Sequence, residues 1–312
     1  LFTDDGMQLV IPAGMLPDEE LGLVLDALVA HSGTAPYVAE RLIQRFVTSN
    51  PSPDYIERVV GAFGETGDMA AVVRAILLDE EARNPVVMSD PQFGKFKEPV
   101  LQITAILRLH EAYSSVVIGS STGGRSGVYA LDYANADSFE EGAMLLRMGA
   151  LNIGQEALNS PSVFNFYSPS FAPTGSLSNN GLVAPELELV TETQIYQSFN
   201  VYNALIRAGF RRNNRYTREA TFINQEQLRV RLSDARVRAV WDNTAGDNDA
   251  KAAAVVEFLD FYINAGRLHY LGDSETQSSL IEALAASDIE SGEMFDLAAY
   301  GSALLPEFMV QK

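Results

Sequence analysis

The chain has no cysteine, three histidines and one tryptophan in 312 residues, and 22 basic residues against 41 acidic ones. The absence of cysteine excludes disulfides, thiolate metal sites and a cysteine nucleophile together. It leaves the compartment open. Apolar runs are only a handful of residues long, so no segment can cross a bilayer as a helix. With a formal charge of −19, the surface repels phosphate backbones and anionic lipids, which argues against nucleic acid and membrane partners.

Recognisable catalytic motifs are also scarce. There is no Gly-x-Ser-x-Gly elbow, and the Gly-rich run Ser120–Arg125 lacks the Lys-Ser/Thr of a phosphate loop. His31, His110 and His269 lie far apart, each near an expected helix end where an imidazole meets the helix dipole. They show no His-x-x-x-His or His-Glu metal pattern. Asp242–Asp249 resembles a calcium loop by composition. Counted from Asp242, however, the third position is Thr244 and the fifth is Gly246, which breaks the EF-hand pattern. It reads as a polar interhelical loop in which Asp247 or Asn248 caps the next helix. No cofactor or metal is predicted.

What the sequence does contain is helix signals. Pro17-Asp18-Glu19-Glu20 opens a helix whose apolar face is Leu21, Leu23, Val24, Leu25, Leu28 and Val29. Thr34 is the expected N-cap of a second helix, with Pro36 in its first turn, that carries Val38, Leu42, Ile43, Phe46 and Val47. Ser52-Pro53-Asp54 starts a third through Phe63, and Thr66-Gly67-Asp68 separates it from a fourth with Val72, Val73, Ile76 and Leu77. Further helices are expected at 95–113, 138–158, 186–206, 225–241, 250–265, 275–286 and 292–304. Residues 7–12 suggest a short strand, and 116–118 with 128–133 suggest a small hairpin around the Gly/Ser-rich run. The expected fold is mostly α: one large domain over 1–312, with a helical bundle at 13–113, an excursion at 114–137 and a loop-plus-helices half at 138–312.

Residues 160–185 break the pattern. They hold four prolines, three phenylalanines and a tyrosine with no helical or strand period. A long run of that kind is functional or disordered, and its aromatics favour an ordered loop. Phe164 and Phe166 are expected to anchor it into the helical core through buried Arg–Glu contacts, leaving Asn165 and Tyr167 as the ligand-facing groups. Arg41 and Arg45, one turn apart, are placed to clamp a carboxylate, with Glu98, Glu186 and Glu192 as candidate acids. Two readings follow from these residues. One is a structural Arg–Glu network, and the other is a ligand pocket built from Asn165, Tyr167, Arg41, Arg45 and Glu186 or Glu192.

The segments 23–83, KFKEPVL (95–101), SPSVFNFYSP (160–169), LVAPELEL (182–189) and LPEFMVQ (305–311) resemble the bacterial domain-of-unknown-function 1800 family along almost the whole chain. The resemblance implies a mostly α, commonly exported protein, the C-terminal portion of a longer precursor. It also implies a genomic neighbour that looks like a sulfatase or alkaline phosphatase. The family supplies no established catalytic residues. Three functions are therefore weighed. The first is a non-catalytic, exported binding or assembly protein working with that sulfatase-like partner. The second is a hydrolase on an extracellular polymer, using carboxylates near 160–192, and the third is a subunit of an extracellular structural assembly.

Overall fold

Helix caps and apolar periodicity place most of the secondary structure. The computed structural model describes residues 10–110, 113–119, 128–130, 153–156, 158–207, 210–211, 228–231, 235–270, 274–287 and 293–312. The fold is mostly α. The chain divides into two compact units, one of Leu1–Phe96, Ser168–Glu188 and Gln311–Lys312, the other of Lys97–Tyr167 and Leu189–Val310.

In the first unit, α1 (Pro17–Ala30), α2 (Thr34–Phe46), α3 (Pro53–Phe63) and α4 (Met69–Leu78) follow one another, with single turns α5 (Glu80–Arg83) and α6 (Pro85–Met88) behind them. Ser52 caps α3, its Oγ accepting from Tyr55 N, and Asp68 caps α4, its Oδ1 accepting from Ala70 N and Ala71 N. The N-cap expected at Thr34 needs correction: Gly33 takes that position, and the Thr34 hydroxyl donates to the Leu28 carbonyl instead of capping α2. Helical spacing on α2, α3 and α4 gathers Ala39, Ile43, Tyr55, Val59, Phe63, Val72 and Ile76 into one core. The Tyr55 hydroxyl, whose pKa burial pushes up, donates to the Ile76 carbonyl at 2.7 Å. By contrast α1 buries none of its residues, and Leu21, Leu25, Leu28 and Val29 stay exposed. The strand expected at 7–12 is not present over 10–12, where Val10 and Ile11 are exposed and no neighbouring strand pairs with them.

A short strand β1 (Lys95–Phe96) follows Gly94, whose φ of +117° suits glycine alone; a Cβ there would lie 2.8 Å from the Gln311 carbonyl oxygen. Residues 168–188 return to this unit. They are ordered by polar bonds: Asn50 exchanges two 2.9 Å hydrogen bonds with the Val183 backbone, and Ala184 N donates to Phe171 O at 2.8 Å.

The second unit contains α7 (Pro99–Leu109), α9 (Glu192–Arg207), α10 (Ala235–Asn243), α11 (Asn248–Ile263), α12 (Arg267–Tyr270), α13 (Ser274–Ala285), α14 (Glu293–Ala303) and α15 (Pro306–Met309); the short α8 (Ser176–Asn179) belongs to the first unit. On α11 the buried residues Ala252, Val255, Val256, Leu259 and Ile263 form one continuous stripe. They pack with Ile103, Ile106, Tyr202, Trp241, Leu284, Ala299 and Phe308 into a single core. Tyr202 and Phe308 meet edge to face at 6.1 Å, and the Tyr202 hydroxyl donates to Gln102 Oε1. As expected, Asp247 caps α11 by accepting from Ala250 N at 3.0 Å.

An antiparallel sheet of order β3-β2-β5-β4 also belongs here, made of β2 (Tyr113–Gly119), β3 (Val128–Ala130), β4 (Phe210–Arg211) and β5 (Leu228–Arg231). The expected hairpin is β2 with β3, in register Val117↔Ala130. Three helix expectations need correction. The helix expected over 95–113 runs only from Pro99 to Leu109, because Lys95–Phe96 is a strand and Tyr113 opens β2. The Leu-Arg-Val-Arg run inside the expected helix 225–241 is β5, because its period-two alternation pairs with Tyr113–Val116; the helix begins only at Ala235. The helix expected over 186–206 splits into a 3₁₀ turn, Pro185–Leu189, and α9. Thr191 resets the helix there. Its hydroxyl accepts from Gln194 N while its own backbone N donates to Gln194 Oε1, a reciprocal capping box. The helix expected at 138–158 lies largely outside the described residues, as does most of the Gly/Ser-rich run.

Candidate functional site

The sequence Lys95-Phe96-Lys97-Glu98 supplies a polar centre to each unit. In the first, the last turn of α2 leaves carbonyls without intrahelical donors, the situation in which a cation is favoured. Lys95 Nζ fills that role. It donates to Gln44 O at 3.0 Å and Arg45 O at 2.7 Å, and its third bond is a 2.7 Å ion pair with Glu186 Oε1. An ammonium has three donors, so Lys95 is fully used. Two acceptors beside it, Glu186 Oε2 and Gln44 Oε1, are buried without a partner among the described residues.

Arg41 and Arg45 share α2 with this centre, but the ion pair of Glu186 is made by Lys95. Arg41 pairs with Glu40 at 2.6 Å and lies 5.6 Å from the centroid of the Tyr37 ring. Arg45 is exposed and contributes its carbonyl.

In the second unit Glu98 precedes α7 and is 1% exposed. Its Oε2 accepts from Gln155 Nε2 at 2.7 Å and its Oε1 accepts from the Tyr167 hydroxyl at 3.0 Å. Gln155 Oε1 in turn accepts from Val100 N, one of the first-turn N–H groups that α7 cannot satisfy itself. A carboxylate at a helix N-terminus also meets the positive end of the dipole. Gly154, at φ +81°, aims Gln155; a Cβ there would stand 2.5 Å from Gln194 Nε2.

Tyr167 therefore closes the first part of the proline–aromatic loop, and the rings expected to anchor that loop do so less than predicted. Phe166 is half-buried and Phe164 is 52% exposed. The turn before Tyr167 is held by main-chain polar bonds: Asn165 N donates to Ser162 O, and Phe164 N donates to Ser162 Oγ. Asn165 is exposed with φ +70°. Leu158, at φ +61° and fully exposed, lies just ahead of this turn. This apolar tip presents Leu158, Val163 and Phe164 as separately exposed side chains ahead of the point where Tyr167 binds Glu98. Glu192 is exposed in the first turn of α9.

Two concave features complete the description. An open cleft of about 900 Å³ in the first unit is lined by Arg58, Asp68, Arg74, Asp79 and Glu80, among others. Arg58 binds Asp79 through two 2.7 Å bonds, and this contact holds the Asp79 carboxyl below its usual range. A smaller cavity of about 390 Å³ in the second unit is lined by Glu257, Phe258, Phe261, Tyr262 and His269. Among the described residues no group of three or more His, Asp or Glu is placed to hold a metal.

Neither Lys95 nor Lys97 stands out in the sequence, since lysine is a surface residue by default. The available signal was their spacing on an extended segment next to the buried Pro99 helix start. No curated protein and no solved structure matches this chain. The KFKEPVL, SPSVFNFYSP and LVAPELEL segments, which supply Lys95, Glu98, Tyr167 and Glu186 to these two centres, are among those on which the family resemblance rests. A family model covers residues 7–310, and the chain belongs to that family, described as a protein of unknown function (DUF1800).

Proposed function

We propose that the chain is a non-catalytic binding protein that docks a protein partner through the apolar tip at Leu158, Val163 and Phe164. The observation that carries this reading is the exposure of these side chains, 108%, 94% and 52%, on a loop whose base is fixed by polar bonds. Exposed apolar groups on a held loop favour contact with another protein. The charge of −19 fits a partner with an apolar socket and a basic rim, and disfavours an anionic bilayer. Export, and the sulfatase-like neighbour as first partner to test, follow from the family resemblance.

The hydrolase reading loses support because two of its three candidate acids are committed elsewhere. Glu186 is held by Lys95, and both oxygens of Glu98 accept hydrogen bonds. Photo-crosslinking in cells expressing the full chain tests the proposal. Val163→p-benzoylphenylalanine should give one discrete protein adduct that Phe164→Ser abolishes, and the same probe at the exposed Glu65 should give none. The proposal fails if Val163 yields no adduct, or the same adducts as Glu65.

A further inference from the structure

The smaller cavity of the second unit, about 390 Å³, falls in the size range of small-molecule sites. Helical spacing builds one wall of it. On α11, Ala254, Glu257, Phe258 and Phe261 recur at three- and four-residue intervals, beside the buried stripe that ends at Ile263. Tyr262 lines it from the same helix, Val240 from α10, Gly266 from the turn that follows α11, and His269 from α12. The three rings stand at different angles. Phe258 and Tyr262 have centroids 4.7 Å apart at 48°, and Phe261 and Tyr262 are 5.2 Å apart at 81°.

The lining carries acid without base: it includes Glu257 and Asp260, and no Lys or Arg among the described residues. Asp260 is buried, spends its oxygens on Leu268 N and His269 N, and is balanced by the charge of Arg267. Glu257 is exposed and forms no ion pair among the described residues. It is the carboxylate left to a ligand. The rings already attract one cation, since the Arg236 guanidinium lies 4.7 Å from the Tyr262 centroid and 5.8 Å from that of Phe258. No cation lies over Phe261 among the described residues, and that side chain is 68% exposed.

The geometry points to a binding site for a quaternary ammonium group, of the kind choline carries, against Phe261 and Glu257. Such a group spreads its charge over methyls, which suits aromatic faces and an apolar lining. It has no N–H, so one free carboxylate is enough. A primary ammonium brings three donors and needs more acceptors than this lining has left. Inorganic cations such as calcium need a shell of oxygens, and no group of three or more acids or histidines is assembled to hold one among the described residues.

The test is a ligand-observed NMR titration of the full chain with choline and with its neutral carbon isostere, 3,3-dimethylbutanol, at equal ionic strength. Choline should bind at least about fivefold more tightly, because only it carries the charge. Phe261→Leu keeps an apolar side chain without the ring, and should weaken choline about fivefold while leaving dimethylbutanol unchanged. Glu257→Gln should do the same. Both side chains are exposed, so both variants should melt as wild type does; should one not fold, the other decides. Phosphatidylcholine vesicles distinguish the source of the group. Co-sedimentation that choline competes away assigns it to a lipid headgroup, and choline binding without co-sedimentation assigns it to a free solute. No choline binding, equal affinity for choline and dimethylbutanol, or unchanged choline affinity in the folded variants would overturn the assignment.

Discussion

Lys95 Nζ lies 2.7 Å from Glu186 Oε1, with 0% of the lysine and 2% of the glutamate side chain exposed. The pair joins the end of α2 to the 3₁₀ turn that closes the proline–aromatic segment. Breaking a buried pair from one side strands a charge, whereas replacing both partners with apolar groups does not. Lys95→Met should cost about 3–5 kcal/mol in chemical denaturation. Lys95→Met with Glu186→Met should recover most of that loss. A double variant no more stable than the single one would show that the pair is not the energetic unit.

The Tyr167 hydroxyl donates to the buried Glu98 carboxylate, as Gln155 Nε2 does. Tyr167→Phe removes that donor while keeping the ring, so it should cost about 1–3 kcal/mol. A melting temperature equal to wild type would mean that the contact does not hold the loop base.

Phe164 lies at the tip and should contribute little to stability. Phe164→Ala is expected to change unfolding free energy by less than about 1 kcal/mol, against about 2–5 kcal/mol for Ile76→Ala in the first unit's core. Comparable losses in the two variants would place Phe164 in the core after all.

Lys97 gives a pH signature. Burial and the Arg267 charge push its folded pKa down to about 8, below its ordinary 10.5. Between those values the unfolded chain holds more protons, so stability rises with pH through that window, and the same contribution is lost as pH falls from 10.5 to 8. The full swing is at most about 3 kcal/mol. Lys97→Met should flatten this part of the stability profile relative to wild type. Parallel profiles would contradict the Lys97 shift.

Much of the helical framework was legible because its signals are local. Ser52 and Asp247 cap the helices whose starts they were expected to mark, although Thr34 does not, and the spacing of Tyr55, Val59 and Phe63 foretells a buried face. The reset at Thr191 was also readable, since Thr-x-x-Gln is a capping-box pattern. Burial of a given face was not. The apolar residues of α1 look like those of α2, yet those of α1 remain outside the core. The polar centres were legible only in part. Glu98, Glu186 and Tyr167 could be named because acids and aromatics beside prolines are unusual, but Lys95 and Gln155 become informative only when the fold brings distant segments onto helix ends. Phe164 misled because an aromatic in a loop suggests an anchor, and here the polar bonds of Ser162 and Tyr167 take that role.

Partner docking through the tip is tested most directly by calorimetry between the full chain and the protein captured at Val163, or the sulfatase-like neighbour if that is the adduct. Leu158→Ser with Phe164→Ser should weaken binding at least about tenfold, about 1.4 kcal/mol, while leaving the melting temperature unchanged. Equal affinity of wild type and the folded double variant would contradict it.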